Sequence, residues 1–214
     1  MRCPMDRSSR SSRIADITPR FRTAAVLCVL VSSLHVGPDH RARGADGDDA
    51  AGNDIPRYQI RQLSGHTAAI WDLCFTPDGR QLISAGADQT VRVWDVATGD
   101  AAGVFEGHTD LVRCVAVAPD GQTVASGGQD ATVRLWNLTG KHSAPAILAH
   151  PVPVYSLAFA PNGKAVVTGG RDGIIRVWDT TAHTVIREFP PQEGIVSGLA
   201  FSADSSQLAS GSQD

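Results

Sequence analysis

Cysteine, methionine and aromatic residues are scarce in this chain of 214 residues, which holds four Cys, two Met and 6% Phe, Trp and Tyr. Cys3 and Cys28 lie near the N-terminus and Cys74 and Cys114 in the body, with no C-x-x-C pair, so a disulfide framework or a thiolate metal site has no support. An isolated Cys in a β-prone run serves as a small hydrophobe. No apolar run approaches the roughly 20 residues that a spanning helix needs. Positive charge is short outside the first 44 residues. Those carry eight Arg and three Asp, net +5, so of the formal total of −3 residues 45–214 hold −8. An acidic body is poorly suited to a phosphate backbone, and no nucleic-acid partner is expected. There is also no metal cluster, phosphate-cradling glycine loop or unrepeated acid/base pair, so no cofactor, small-molecule substrate or catalysis is expected.

The N-terminus carries Arg7, Arg10, Arg13, Arg20 and Arg22, then an apolar stretch over 23–36 broken by Ser32, Ser33 and His35, then Ala42-Arg43-Gly44 before Ala45. That order is the one found in secretory signals. Residues 1–44 are assigned as a signal-peptide-like leader. Export to the periplasm or the cell exterior is the expected localisation, with a cytoplasmic location as the alternative. Membrane contact is expected only if the leader stays uncleaved as an anchor. Residues 45–57 read as a flexible acidic linker.

At 42% hydrophobic residues the remainder is an ordinary globular chain, and it repeats itself. His66, His108 and His150 are spaced by 42 residues, as are Trp94, Trp136 and Trp178, and Asp88, Asp130, Asp172 and Asp214. Within the first unit, β-prone runs at 70–75, 81–84 and 91–94 are separated by Pro77-Asp78-Gly79 and Gly86-Ala87-Asp88, and a weaker run follows at 101–105. Val91 and Val93 fall on one face of their strand and Trp94 on the other. Each small sheet is thus apolar on both faces and needs neighbours on both, which radial packing about an axis supplies. The fold class is all-β: a β-propeller of four-stranded antiparallel blades. Residues 58–214 hold three full blades and half of a fourth, with 58–63 as the outermost strand of a closing blade, and the ring is expected to be incomplete.

Gly65-His66 with Trp94-Asp95, Gly107-His108 with Trp136-Asn137, and Trp178-Asp179 resemble the WD-repeat family over residues 58–214. The resemblance implies that His66, Ser84, Asp88 and Trp94, then His108, Ser126, Asp130 and Trp136, then His150, Thr168, Asp172 and Trp178, form buried hydrogen-bonded networks. A Ser-His-Asp trio resembles a catalytic triad, but an active site is rarely built three times in one chain. Three departures stand out: Asn137 for Asp, Ala149 for Gly, and Gln192 where a fourth His would fall.

The resemblance also implies that other proteins or peptides bind at the channel rim, through the positions three and five after each His and the residue before each turn Asp. The candidates are Trp71, Leu111, Arg113, Gln129, Tyr155, Arg171 and Ile195. Packing of Trp71 and Tyr155 against adjacent loops is the alternative. The expected function is a non-catalytic interaction scaffold; the alternative is the sensing or docking portion of a larger multidomain enzyme.

Overall fold

The computed structural model describes residues 27–32, 59–140 and 144–213, so the acidic linker and most of the leader lie outside the described residues. All of the regular structure described is β. Strand β1 (Leu27–Ser32), within the apolar stretch of the leader, pairs in parallel with β2 (Gln59–Ser64). No helix among the described residues is long and apolar enough to cross a membrane.

Three four-stranded antiparallel sheets follow in chain order. The first is β3 (Ile70–Phe75), β4 (Gln81–Gly86), β5 (Val91–Asp95) and β6 (Ala101–Phe105). The second is β7 (Val112–Val117), β8 (Thr123–Gly128), β9 (Thr132–Asn137) and β10 (Ala146–Ala149). The third is β11 (Val154–Phe159), β12 (Ala165–Gly170), β13 (Ile175–Asp179) and β14 (Val185–Glu188). A two-stranded sheet, β15 (Val196–Phe201) and β16 (Leu208–Ser212), completes the order. The innermost strands β3, β7, β11 and β15 lie side by side, each packed on the next.

The turn between each innermost strand and the next is a local device. In the first unit the Thr76 hydroxyl donates to Asp78 Oδ1 at 2.6 Å, and Gly79, at φ 69°, closes the reversal by donating to the Thr76 carbonyl at 2.8 Å. That backbone conformation suits Gly.

Burial follows the two-faced pattern. Ile83, Val91 and Val93 pack with Val112, Val115, Val124 and Trp136 between the first two sheets, while Leu82 and Trp94 meet Leu63 on the opposite face. A rule emerges from the core: the outermost strand of each sheet presses a side chain onto the tryptophan of the next. Leu63 of β2 covers Trp94, Phe105 of β6 stacks on Trp136 with centroids 5.1 Å apart, and Leu148 of β10 shares a core with Trp178. Burial of one such side chain contributes about 1.5–3 kcal/mol. Strand β2 therefore plays, toward the first sheet, the part of an outermost strand.

Candidate functional site

Two sets of recurring side chains must be distinguished, one inside the sheets and one at the rim. In the first unit Trp94 Nε1 donates to Ser84 Oγ at 2.9 Å, Ser84 Oγ lies 2.7 Å from His66 Nε2, and His66 Nδ1 lies 2.9 Å from Asp88. An ionised carboxylate only accepts, so Nδ1 carries the imidazole proton and the serine hydroxyl donates to Nε2. Asp88 further accepts from the Thr67 and Thr90 amides and, at 2.8 Å, from the Thr90 hydroxyl. The second unit repeats the chain through Trp136, Ser126, His108 and Asp130, with Thr109 and Thr132 as the additional donors.

This is the connectivity of a nucleophilic triad, yet it offers a substrate no entry. His66, Ser84 and Ser126 are 0% exposed, and each serine oxygen is already occupied by a tryptophan N–H. A Cβ on Gly86 would collide with Asp88 and His66, which shows how closely the backbone covers the imidazole. Burial holds the imidazoles of His66 and His108 below their ordinary value of 6.5, with Asp88 and Asp130 pulling the other way. Burial would raise the carboxyls of Asp88 and Asp130, but their hydrogen bonds, led by the Thr67 and Thr109 amides, hold both below 3.8.

The third unit corrects the expectation of three equal networks. Trp178 Nε1 still donates to Thr168 Oγ1 at 2.9 Å, but His150 turns Nδ1 to the Val152 carbonyl at 2.7 Å. Arg176 takes over Asp172, at 2.8 Å, and also reaches Glu188 at 2.8 Å and His150 Nε2 at 3.4 Å. The causes are local. Pro151 replaces Thr67 and Thr109 and has no N–H to give the carboxylate, and Ile174 replaces Thr90 and Thr132 and has no hydroxyl. In the first two units a Cβ on Gly65 or Gly107 would sit 2.8 or 2.9 Å from a terminal nitrogen of Arg92 or Arg134, whereas the third has Ala149 at that position. Across the outer strand pair Arg92 faces Val104 and Arg134 faces Ile147, but Arg176 faces Glu188.

The other two departures leave their jobs intact. Asn137 Oδ1 accepts from the Thr139 and Gly140 amides, as Asp95 does from Thr98 and Asp179 from Thr181 and Ala182. Gln192 Nε2 donates to Ser210 Oγ at 2.6 Å, the same 18-residue span as His66 to Ser84.

At the rim the decisive element is a β-bulge. The register of β3 on β4 passes from Ile70 to Asp72 and skips Trp71; β7, β11 and β15 skip Arg113, Tyr155 and Ser197 in the same way. A bulge leaves its extra residue out of the ladder and re-aims the side chain. The Arg113 guanidinium carbon consequently lies 4.9 Å from the Trp71 ring centroid and 4.7 Å from that of Tyr155, held between residues of the two neighbouring sheets. Its Nε donates to Gln129 Oε1 at 2.9 Å. The backbone N–H of Gln129 donates to the Leu111 carbonyl at 2.8 Å, and the same backbone bond links Arg171 to Pro153 and Gln213 to Ile195.

Of the seven rim candidates, Trp71, Arg113, Gln129 and Tyr155 are thus in direct side-chain contact and Leu111 is tied to Gln129. Arg171, exposed, and Ile195, half-buried, occupy the matching places on the third and fourth units. One contributor was missed. Half-buried Asp72 accepts from the Val115 amide at 2.8 Å and from Leu73, stitching the first innermost strand to the second. Burial pushes its carboxyl above the ordinary value, against those two bonds. The signal was a carboxylate inside an apolar run, where the other units place Cys114, Ser156 and Gly198.

Comparison with known proteins decides the family. The repeat of the family described as WD domain, G-beta repeat, matches residues 57–95, 99–137, 144–179 and 183–214, together well over half of the chain. The chain belongs to the WD-repeat family. WD repeats build protein-interaction scaffolds, and the second, third and fourth matched segments each begin two residues before the outermost strand of the preceding sheet, β6, β10 and β14. Among similar curated proteins, WD repeat-containing protein 36 of Homo sapiens is 49% identical over 43 residues, 20% of this chain and 5% of that protein. Nuclear distribution protein PAC1 of Arthroderma otae is 50% identical over 40 residues, 19% and 9% of the two chains. Denticleless protein homolog of Xenopus tropicalis is 34% identical over 55 residues, 26% and 8%. The matched segments thus span less than a tenth of the length of these curated relatives.

Proposed function

We propose that this WD-repeat chain is a non-catalytic scaffold that captures another protein or a peptide on the rim built by Trp71, Arg113, Gln129 and Tyr155, with Leu111, Arg171 and Ile195 around them. One observation carries the reading: three bulged residues from three consecutive sheets meet in a single stack, and Trp71 is 52% exposed while Trp94, Trp136 and Trp178 are buried. Tryptophan, tyrosine and arginine are the residue types over-represented where interface truncation costs most. The sealed His–Ser–Asp chains support a role that is structural rather than chemical, since no substrate reaches their hydroxyls. Among the described residues no group of three His, Cys, Asp or Glu side chains is arranged to hold a metal ion.

Replacement of both Trp71 and Tyr155 by Ala tests the reading. Loss of the two cation–π contacts costs the fold about 1–2 kcal/mol, so the variant stays folded by circular dichroism. Proteins retained from an extract of the source cells by the wild type, and by a Lys164→Ala control at an exposed turn, are expected to be lost. Equal retention by the double variant removes the rim from consideration.

A further inference from the structure

We infer that the partner is read through an oxyanion on a peptide, a carboxylate or a phosphate, accepted by the terminal nitrogens of Arg113 with Arg171 on the adjoining unit as a second cation; this rests on the rim reading above. The stack itself selects the sign of the ligand. A free Trp–Tyr pair would suit a lysine or methylated ammonium group, because ring faces attract cations. Here the inner faces of Trp71 and Tyr155 already hold one, with Arg113 4.9 and 4.7 Å from their centroids. A second cation meets an occupied site and a like charge.

What the stack leaves open is the edge of the guanidinium. The two rings lie 4.9 and 4.7 Å from the guanidinium carbon and Nε is committed to Gln129 at 2.9 Å, so the group is restrained and its terminal nitrogens are left over. Among the described residues neither Arg113 nor Arg171 has an ion-pair partner, whereas Arg176 has both Asp172 and Glu188. Asp110, the acidic residue nearest in sequence, turns an oxygen to the Leu111 amide at 2.7 Å. A planar fork restrained at Nε, with unclaimed terminal N–H groups, matches two oxygens of one carboxylate or phosphate. Preorganisation by the two rings removes much of the ordering cost that a free arginine incurs on binding.

The test is fluorescence anisotropy of the full chain with three fluorescein-labelled hexapeptides: hexaglutamate, a hexamer alternating phosphoserine and glycine, and hexaglutamine. Both acidic peptides are expected to bind at least about tenfold more tightly than hexaglutamine, and whichever is tighter identifies the carboxylate or the phosphate as the source of the oxyanion. Arg113→Lys keeps the charge without the fork, and Gln129→Glu supplies Arg113 with a carboxylate from within the chain. Each is expected to weaken the acidic peptides about tenfold. Unaltered affinity in both variants, or acidic peptides that bind no better than hexaglutamine, overturns the inference. Should that happen while the Trp71 and Tyr155 double variant still loses its captured proteins, the rim stands and only the oxyanion fails. Should capture survive the double variant, the rim itself falls.

Discussion

The first and third units carry the same His, Ser or Thr, Asp, Arg and Trp at the same spacing, yet wire them differently. In the first, the imidazole takes the carboxylate and Arg92 is left over, with its buried Nε unpartnered. In the third, Arg176 takes the carboxylate and His150 is left to a backbone carbonyl. Possession of the repeat residues therefore settles the fold but not the network. That is decided by their neighbours: an N–H lost at Pro151, a hydroxyl lost at Ile174, a methyl gained at Ala149 and a carboxylate gained at Glu188. Of the bonds between side chains in this network, only the Trp–hydroxyl bond survives in all three sheets, at 2.8–2.9 Å.

That common bond is where the largest effect is expected. Trp94→Ala and Trp178→Ala should each cost about 3–5 kcal/mol in urea denaturation, because each empties a packed site between sheets and strips a buried hydroxyl of its donor. A much smaller loss for Trp178 would mean that the rewired unit no longer depends on its tryptophan.

Acid should act on the units together. Burial first of all holds His66, His108 and His150 below 6.5, with Arg176 opposing the charge on His150. The unfolded chain takes up protons near pH 6.5 that the folded chain refuses. Stability is thus fully present above that pH and falls as pH drops from 6.5 toward the lowered folded values. Asp88, Asp130 and Asp172, held below 3.8, add a second loss below that pH as they protonate through their folded values. Urea midpoints at pH 7.5, 6 and 5 should decline in that order, and a flat series contradicts the buried neutral imidazoles.

The smallest expected effect transplants one unit's solution into another. Val104→Glu places opposite Arg92 the carboxylate that Glu188 offers Arg176, giving the orphaned Nε an acceptor. A gain of about 1 kcal/mol is expected, read as a higher urea midpoint, and a loss would show that Gly65 and Trp94 hold Arg92 too firmly to turn.

The architecture was legible because the 42-residue period aligns three kinds of landmark at once, and the limits of β3 and β6 agree with the runs at 70–75 and 101–105. Strands β4 and β5 extend one or two residues beyond the runs at 81–84 and 91–94, since Gly86 and Asp95 still pair across the ladder. The rim positions were legible through family resemblance, but their meeting was not. A bulge has no residue signature, and only the skipped register shows that Trp71, Arg113 and Tyr155 are turned toward one another. The rewiring of the third unit left visible traces in Pro151, Ile174 and Ala149. Their meaning needed the pairing of Arg176 with Glu188, which depends on how β14 aligns with β13 and not on the period.

The overlap between sheets, in which Leu63, Phe105 and Leu148 each rest on the tryptophan of the sheet that follows, makes the molecule behave under load like a row of latched plates. Tension along the chain that peels an outermost strand also uncovers the next sheet's tryptophan. Extension should therefore proceed as a sequence of linked ruptures, each weakening its successor, and not as independent snaps of single sheets.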